Sequence, residues 1–272
     1  MFETRAHWAD KAFWWIAPIV ILGSAGGGAY YYFHTRQQVA ETKSMATAPA
    51  APRQEPQPAI RHPLPSSVTQ PEAALPPLNE SDPPVREALE NLFGDASMQQ
   101  LLVPESIVHR VVVTIDNLPR QKVAVEKRPL KPLSGQTAVT TQGDLVLLSE
   151  ENSARYAPLM QLVQSTDMQT LADLYFRFYP LFQQAYEDLG YPGQYFNDRL
   201  VEAIDNLLAT PEVAGPITLV QPRVFYEFAD PELEALPAGQ KVLLRMGREN
   251  AAAVKAKLRE LRKAITAGKP AA

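Results

Sequence analysis

The sequence predicts a mainly α protein built from a single N-terminal transmembrane helix, a Pro-rich linker and one helical globular domain with room for a small β-hairpin. Three observations predict this class. Residues 12–33 carry no charge, residues 46–84 contain 11 prolines, and apolar residues beyond them recur mainly every three or four positions, as on one face of a helix. The predicted order is an N-terminal tail (1–11), a transmembrane helix (12–34), a disordered linker (35–84), a mainly α domain (85–266) and a disordered tail (267–272).

The uncharged run is long enough to cross a membrane. A helix needs about 20 apolar residues to span a hydrocarbon core of about 30 Å, and this run has 22. Aromatic residues at 13–15 and 30–33 mark its two ends, and such rings prefer the two membrane interfaces. A cleavable signal peptide, cut among the small residues 24–28, is the alternative, but the second aromatic group favours a retained anchor.

Charges near the anchor favour one orientation. Positive charge is slightly greater before the run than after it, and the short N-terminal tail precedes a long domain. We therefore expect the N-terminus inside and the domain outside, with the lipid bilayer as the first partner. Gly23 and Gly27 form a GxxxG step, which lets two membrane helices approach closely. Both a homodimer through this anchor and an unpaired, small-residue helix stay open.

Composition excludes several function classes. The net charge of −4 gives no basic surface for nucleic acid. The absence of Cys excludes thiolate catalysis and Cys-ligated zinc. Of the four His, only His109 falls in the predicted domain, and no nucleophile signature accompanies it, so a solvent-facing helix position is expected. No phosphate-binding Gly-rich loop occurs outside the apolar run. We therefore expect no enzyme activity, no catalytic residues, no cofactor and no metal.

The linker is expected to act as a spacer. Proline fixes φ and removes a hydrogen-bond donor, so neither helix nor sheet propagates through it. A stretched polyproline-like chain extends about 3.1 Å per residue, which gives a reach on the order of 100 Å. A PxxP recognition site at residues 49–52 is an alternative use of the same composition.

The predicted domain opens with two short helices. Ser81 or Asp82 suits the start of the first helix, the next two prolines suit its first turn, and Gly94 ends it. Asp95 starts the second. Each helix has apolar residues on one side, so both are expected to pack on a core.

The next segment is ambiguous between helix and strand. Residues 104–117 have apolar positions at helical spacing, but the β-branched run at 111–113 also suits a strand. We favour a helix because the charged residues do not alternate. Residues 120–132, rich in Lys, Arg and Pro, are predicted to be an exposed loop, and residues 143–150 a short buried strand.

The clearest helix runs from Asp167, as its cap, to Leu189. Its predicted apolar stripe consists of Leu171, Leu174, Phe178, Phe182, Ala185 and Leu189. Pro180 falls on the opposite face and is expected to bend the helix toward solvent.

The C-terminal part is predicted to add three helices and a hairpin. The first helix covers residues 195–208. Residues 217–220 and 223–228 suit two strands of a hairpin, with Pro222 keeping one at an edge. Two helices, over residues 238–246 and 249–265, follow.

Several stretches together resemble a known family. They read VVVTIDNLPRQKVAV, ARYAPL, YFRFYPLFQQAYEDLGYP, YFNDRLVEAIDNLLATPEV and QKVLLRMG. The chain is similar over residues 85–266 to a bacterial family of membrane-anchored envelope proteins known only as a domain of unknown function. The resemblance implies a proteobacterial-type source, one N-terminal anchor and a mainly helical domain. With the orientation above, it implies the inner membrane and a periplasmic domain, and it implies no activity or site residue.

One loop is the best candidate for a contact surface. It joins the two confident helices, and Tyr and Arg are frequent interface residues. The candidate residues are Tyr191, Tyr195, Phe196, Asn197, Asp198 and Arg199. The alternative is a structural turn whose aromatics fill the core and in which Asn197 or Asp198 caps the helix. Tyr175, Tyr179 and Tyr186 on the preceding helix suit either the edge of the core or a groove for sugar or peptide.

Three carboxylates support a second hypothesis. Asp198, Glu202 and Asp205 recur on one side of a predicted helix, which suits an ordinary solvated face. If they line the deepest cleft, an enzyme or binder of cell-wall polymer gains support. We expect instead a membrane-tethered periplasmic domain that binds or scaffolds a protein partner in the envelope.

Overall fold

The structure is a computed structural model that describes residues 59–65 and 75–267. The predicted anchor at 12–34, with Gly23 and Gly27, lies outside the described residues, as do the tail at 1–11, most of the linker and residues 268–272. Among the described helices, none combines the length and apolar character needed to cross a bilayer. The anchor and its orientation therefore stay predictions.

The described part of the chain is mainly helical with a small antiparallel sheet, as predicted. Its helices are α1 (Asp82–Phe93), α2 (Asp95–Leu101), α3 (Ile107–Asn117), α4 (Ala157–Ser165), α5 (Met168–Asp188), α6 (Phe196–Leu208), α7 (Pro231–Glu234), α8 (Ala238–Arg245) and α9 (Arg248–Ile265). Its strands are β1 (Val139–Gln142), β2 (Leu145–Leu148), β3 (Thr218–Val220) and β4 (Glu227–Phe228). Short 3-10 turns cover Leu78–Glu80, Val125–Lys127 and Glu150–Tyr156.

The first three helices follow the sequence prediction. Helix α1 has Ser81 at its N-cap and ends at Gly94, whose φ of 86° is left-handed and suits glycine. Residues 107–117 are helical, which confirms the choice of helix over strand. The carboxylate of Asp82 accepts hydrogen bonds from the backbone N–H groups of Ser106 and Ile107, at 2.6 and 2.8 Å. The start of α3 is thereby fixed to the start of α1.

Helix α5 is the centre of the domain. Asp167 caps it, since its carboxylate accepts from the backbone N–H of Thr170 at 2.8 Å, as predicted. The predicted stripe is too narrow, because α3 packs on one side of α5 and α9 on another. Ala172 and Phe176 are buried outside that stripe, whereas Leu189 is exposed. Pro180 lies on the exposed side, as predicted.

The predicted hairpin is part of a larger sheet. Strands β3 and β4 pair antiparallel, with Leu219 opposite Phe228. The predicted strand at 143–150 is β2, and it pairs with both β1 and β3, giving the order β1-β2-β3-β4. Sequence reasoning missed β1 because its residues, Val139–Gln142, are mostly polar and exposed. It also missed α4 and the 3-10 turn before it.

The buried side chains form several adjoining clusters. The largest lies between α1, α3, α5 and α6 and includes Ile107, Val112, Phe178 and Phe196. A second joins α5 and α6 to α9. Another cluster packs the sheet on α8 and consists of Leu219, Phe228 and Leu244. It connects the sheet to the helical part.

Two described segments of the predicted linker contact the domain. Leu75 and Leu78 pack on the largest cluster, and Leu64 packs on both the first and the second. We call residues 59–65 the strap, because they lie across α6 and the loop that precedes it. Residues that precede position 85, where the predicted domain begins, therefore pack on the helical region.

Candidate functional site

The candidate loop is an ordered turn between α5 and α6. Gly190 and Gly193 have φ values of 109° and 74°, so glycine is required for its path. Phe196 and Asn197 are fully buried. These two residues of the candidate contact surface are therefore not available to an outside partner, and they serve the interior.

A buried carboxylate on α3 holds one half of the loop. Asp116 is 4% exposed, and its two oxygens accept from Arg199 Nε at 3.0 Å and from Arg120 Nη2 at 2.9 Å. Arg120 also donates to the hydroxyl of Tyr191. The hydrogen bond and the charge of Asp116 raise the pKa of Arg120 above its usual value. The Tyr191 ring stacks on Tyr186 with 4.6 Å between ring centroids.

The strap holds the other half of the loop. The carboxylate of Asp198 accepts from the backbone N–H groups of Arg61 at 3.0 Å and His62 at 2.7 Å. The hydroxyl of Tyr195 accepts from the backbone N–H of Leu64 at 3.3 Å. The surface predicted to contact a partner therefore contacts an extended segment of the same chain.

Asn197 joins three elements at one point. Its side-chain nitrogen donates to the carbonyl oxygens of His62 at 2.9 Å and Ile265 at 3.3 Å. Its side-chain oxygen accepts from the hydroxyl of Tyr175 at 3.0 Å. The strap, α9 and α5 thus meet at a fully buried amide whose hydrogen-bonding groups are satisfied.

The predicted cap of α6 is wrong. Tyr195 is the N-cap residue and makes no side-chain cap bond, and neither Asn197 nor Asp198 caps the helix. Gln183 on α5 caps the helix instead, since its side-chain oxygen accepts from the Phe196 N–H at 2.8 Å. The same oxygen also accepts from the Tyr179 hydroxyl at 2.9 Å. Local sequence gives no signal for a cap supplied by another helix.

The three tyrosines of α5 belong to the core rather than to a groove. The Tyr175 ring lies 5.6 Å from both Phe182 and Tyr179, centroid to centroid. Burial raises the pKa of the Tyr186 phenol to about 12 and raises that of Tyr179 further. Neutral phenols packed on rings stabilise a core and offer no stacking platform to a sugar.

The three carboxylates do not converge on one site. Asp198 binds the strap, Glu202 pairs with Arg199 at 2.8 Å, and Asp205 pairs with Arg262 at 2.6 Å. The hydrogen bond from Arg262 lowers the pKa of Asp205, the opposite of what a general acid needs. Asp198 and Glu202 line a hollow of only about 100 Å³ beside the strap. The predicted solvated face thus holds for Glu202 and Asp205 but not for Asp198.

The remaining candidates for catalysis or metal binding are His109 and clusters of acidic or His side chains. His109 lies on the exposed side of α3, as predicted. In residues 59–65 and 75–267, no group of three or more His, Cys, Asp or Glu side chains is arranged to hold a metal ion.

Sequence reasoning missed an exposed apolar surface at one end of the sheet. Val224 and Phe225, in the connection between β3 and β4, are 76% and 80% exposed. Val146 pairs with Leu219, so Leu145 and Val220, one residue further along each strand, lie side by side, and both are exposed. We call Leu145, Val220, Val224 and Phe225 the sheet tip. The alternating pattern had suggested a strand through residues 223–228, but β4 contains only Glu227 and Phe228.

Sequence reasoning also missed a large cleft, of about 740 Å³, among the described residues. It lies between the end of β2, residues 210–217 and the junction of α8 with α9. None of the candidate site residues lines it. The three carboxylates that would support an enzyme, Asp198, Glu202 and Asp205, are therefore absent from this cleft.

Comparison with known proteins identifies a family. A family model described as "Protein of unknown function (DUF3014)" matches residues 107–262, more than half of the 272-residue chain. No curated protein and no solved structure matches the chain significantly. The matched span begins at the first residue of α3 and contains the loop, the sheet tip and the cleft, whereas the strap and α1 precede it.

Proposed function

We propose a function from the premise that the chain belongs to the DUF3014 family of proteins of unknown function. The protein is a membrane-tethered domain that binds a protein partner in the bacterial envelope. The tether is the predicted helix at residues 12–34, which places the protein in the inner membrane with its domain in the periplasm. In this role the domain is a scaffold without enzymatic activity. The tether confines the domain to a limited volume beside the membrane, which raises its effective concentration for a partner there.

The sheet tip is the observation that carries this proposal. A Phe that is 80% exposed contributes little to its own fold, and Phe, Tyr and Arg are enriched where proteins meet. The tip is contiguous with a regular sheet, so its side chains are presented from a fixed base. Arg223 is exposed beside Val224 and Phe225. The expected partner surface is therefore an apolar pocket with an acidic rim.

The alternative, an enzyme or binder of cell-wall polymer, lacks a comparable observation. Asp198, Glu202 and Asp205 are each engaged by a different neighbour. The larger cleft has no aromatic side chain among its lining residues, and sugar rings are commonly held by aromatic faces.

Site-specific photocrosslinking in cells tests the proposal on the full chain. A photoreactive phenylalanine analogue placed at Arg223 or at Leu145, two separate positions of the same surface, is expected to give one and the same discrete protein adduct. The change Phe225→Ser is expected to reduce the adduct at least tenfold without altering thermal unfolding. The same analogue at exposed Arg259 on α9 is the control and should not give that adduct.

The opposite outcome is equally clear. An adduct that persists at full strength in Phe225→Ser, or that forms only with lipid, contradicts a protein partner at the sheet tip.

A further inference from the structure

The large cleft has the size and wall chemistry of a small-molecule site. Its volume of about 740 Å³ lies within the range of about 300–1,000 Å³ found for ligand pockets. Its apolar walls are aliphatic and include Leu148, Val213, Ile217, Leu243 and Leu244. An aliphatic wall without aromatic rings suits an alkyl chain better than a nucleobase or a sugar, which are usually held by stacking.

A buried cation without an anionic partner lies in the wall of this cleft. Lys255 is 9% exposed, and its ammonium donates to one carbonyl oxygen, that of Thr210. Within the described part of the chain, no carboxylate lies within salt-bridge distance of it. Burying an ammonium group without an opposite charge is costly, so a bound anion would stabilise this arrangement.

Two arginines are among the residues that line the same cleft. Arg248 donates to the carbonyl oxygen of Val213 at 3.0 Å, and Arg245 donates to that of Tyr226 at 3.2 Å. Among the described residues, neither forms an ion pair. Each arginine therefore keeps donors that are not committed to a carboxylate.

The start of α9 adds to this positive potential. This helix has 18 residues, its N-cap is Gly247, and no side chain caps it. The free N–H groups and the helix dipole favour an anion at such a terminus. Arg248, Ala252 and Lys255 follow at i, i+4 and i+7, so they share one helical face. The small side chain of Ala252 leaves space between the two cations.

Two acidic residues also line the cleft, so an anion would bind away from them and near the buried Lys255. Glu150 and Glu212 also line it, but both are exposed, whereas Lys255 is buried. We propose that the cleft binds an amphiphile with one anionic head group, held near Lys255 and Arg248, and an aliphatic body that packs on the Leu, Val and Ile walls. This inference does not depend on the sheet tip or on a protein partner.

Photoaffinity labelling of the full chain in phosphatidylcholine nanodiscs tests the site. The probe is dodecanoate carrying a diazirine on its chain, and the matched probe is the corresponding dodecanol, which has no charge. Dodecanoate is expected to label peptides from residues 148–153, 210–217 and 243–255 in a saturable way. The alcohol is expected to label them at least tenfold less.

Substitutions separate the charge requirement from folding. Lys255→Met and Arg248→Gln are each expected to weaken labelling about tenfold, whereas Lys255→Arg retains it. Arg259→Gln, at an exposed position of the same helix, is the matched control and should leave labelling unchanged. Arg248 is exposed, so Arg248→Gln decides the question even if Lys255→Met unfolds the domain.

A second arm identifies the source of the ligand. Phosphatidylglycerol with a diazirine in its acyl chain replaces part of the nanodisc lipid. Labelling of the cleft by dodecanoate supports a free fatty acid, and labelling by phosphatidylglycerol alone supports a membrane lipid. Equal labelling by dodecanol, labelling unaffected by Arg248→Gln, or no cleft labelling in either arm overturns the proposal.

Discussion

At the scale of single residues, Asp116 holds the turn between α5 and α6 through two arginines. Its buried carboxylate receives two guanidinium groups, and the side chain of Arg199 is itself only 14% exposed. We expect Asp116→Asn to lower the free energy of unfolding by about 2 kcal/mol, because Arg199 loses its buried anion and keeps only the exposed Glu202. Urea denaturation measures this change. Asp205→Asn is the control: its pair with Arg262 is far more exposed, so the loss should be at most about 1 kcal/mol. Equal losses would contradict this interpretation.

Tyr186 should make the domain sensitive to alkaline pH. Burial raises the pKa of its phenol to about 12 in the folded chain, against about 10 in an unfolded one. The folded state therefore binds the phenol proton of Tyr186 more tightly than the unfolded state does. The stability that the buried neutral phenol contributes is fully present below pH 10 and is lost as pH rises through about 12. We expect Tyr186→Phe to make the fall in unfolding free energy between pH 10 and 12 shallower. Denaturation series at several pH values test this, and an unchanged slope would contradict it.

At the scale of elements, the close approach of α8 to α6 depends on one glycine. A Cβ atom at Gly239 would lie 2.7 Å from Leu207 Cδ2 and 3.2 Å from the carbonyl oxygen of Leu118. The Gly239 N–H also donates to that carbonyl at 3.0 Å, so the backbone cannot easily move away. Replacing Gly by Ala in a helix normally stabilises it by about 0.4–1 kcal/mol. Here we expect a net destabilisation of about 1–2 kcal/mol from overcrowding. Thermal unfolding decides the sign, and a raised Tm would refute the expectation.

The strap should come free when Asp198 is lost. That carboxylate accepts from two strap N–H groups, and Arg61 provides a tryptic site within the strap. We expect Asp198→Ala to speed tryptic cleavage after Arg61 several-fold while the helices remain protected. Asp205→Ala, on the same helix but paired with Arg262, is the control. Cleavage at the wild-type rate in Asp198→Ala would show that other contacts hold the strap.

The elements differ in how far sequence predicts them. Helix α5 is predictable because its periodicity, its Asp167 cap and the glycine after its end agree, whereas α6 is predictable from its periodicity alone. Strand β1 is not, because its VTTQ sequence has no apolar face and becomes a strand only by pairing with β2. The loop residues are predictable as a structural group, but their partners Asp116, Gln183 and the strap lie 13 to 137 residues away. The cleft is assembled from three separate segments, so no local pattern indicates it.

At the scale of the whole molecule, the central prediction concerns the membrane. The full chain is expected to remain with the membrane fraction in alkaline carbonate, because an uncharged 22-residue run is long enough to stay in the bilayer. A chain that begins at residue 59 is the matched control and should be released. Recovery of the full chain in the carbonate supernatant would remove the basis for a tethered domain.

The strap also has a mechanical consequence. In a chain held at residues 12–34, tension from the membrane side reaches residues 59–65 before it reaches α1. The few hydrogen bonds to Asp198, Tyr195 and Asn197 would then yield first, while the helices stay folded. Release of residues 59–65 would lengthen the tether by up to about 25 Å, at about 3.3–3.6 Å per residue. The height of the domain above the bilayer would thus respond to load in one discrete step, which single-molecule stretching can record.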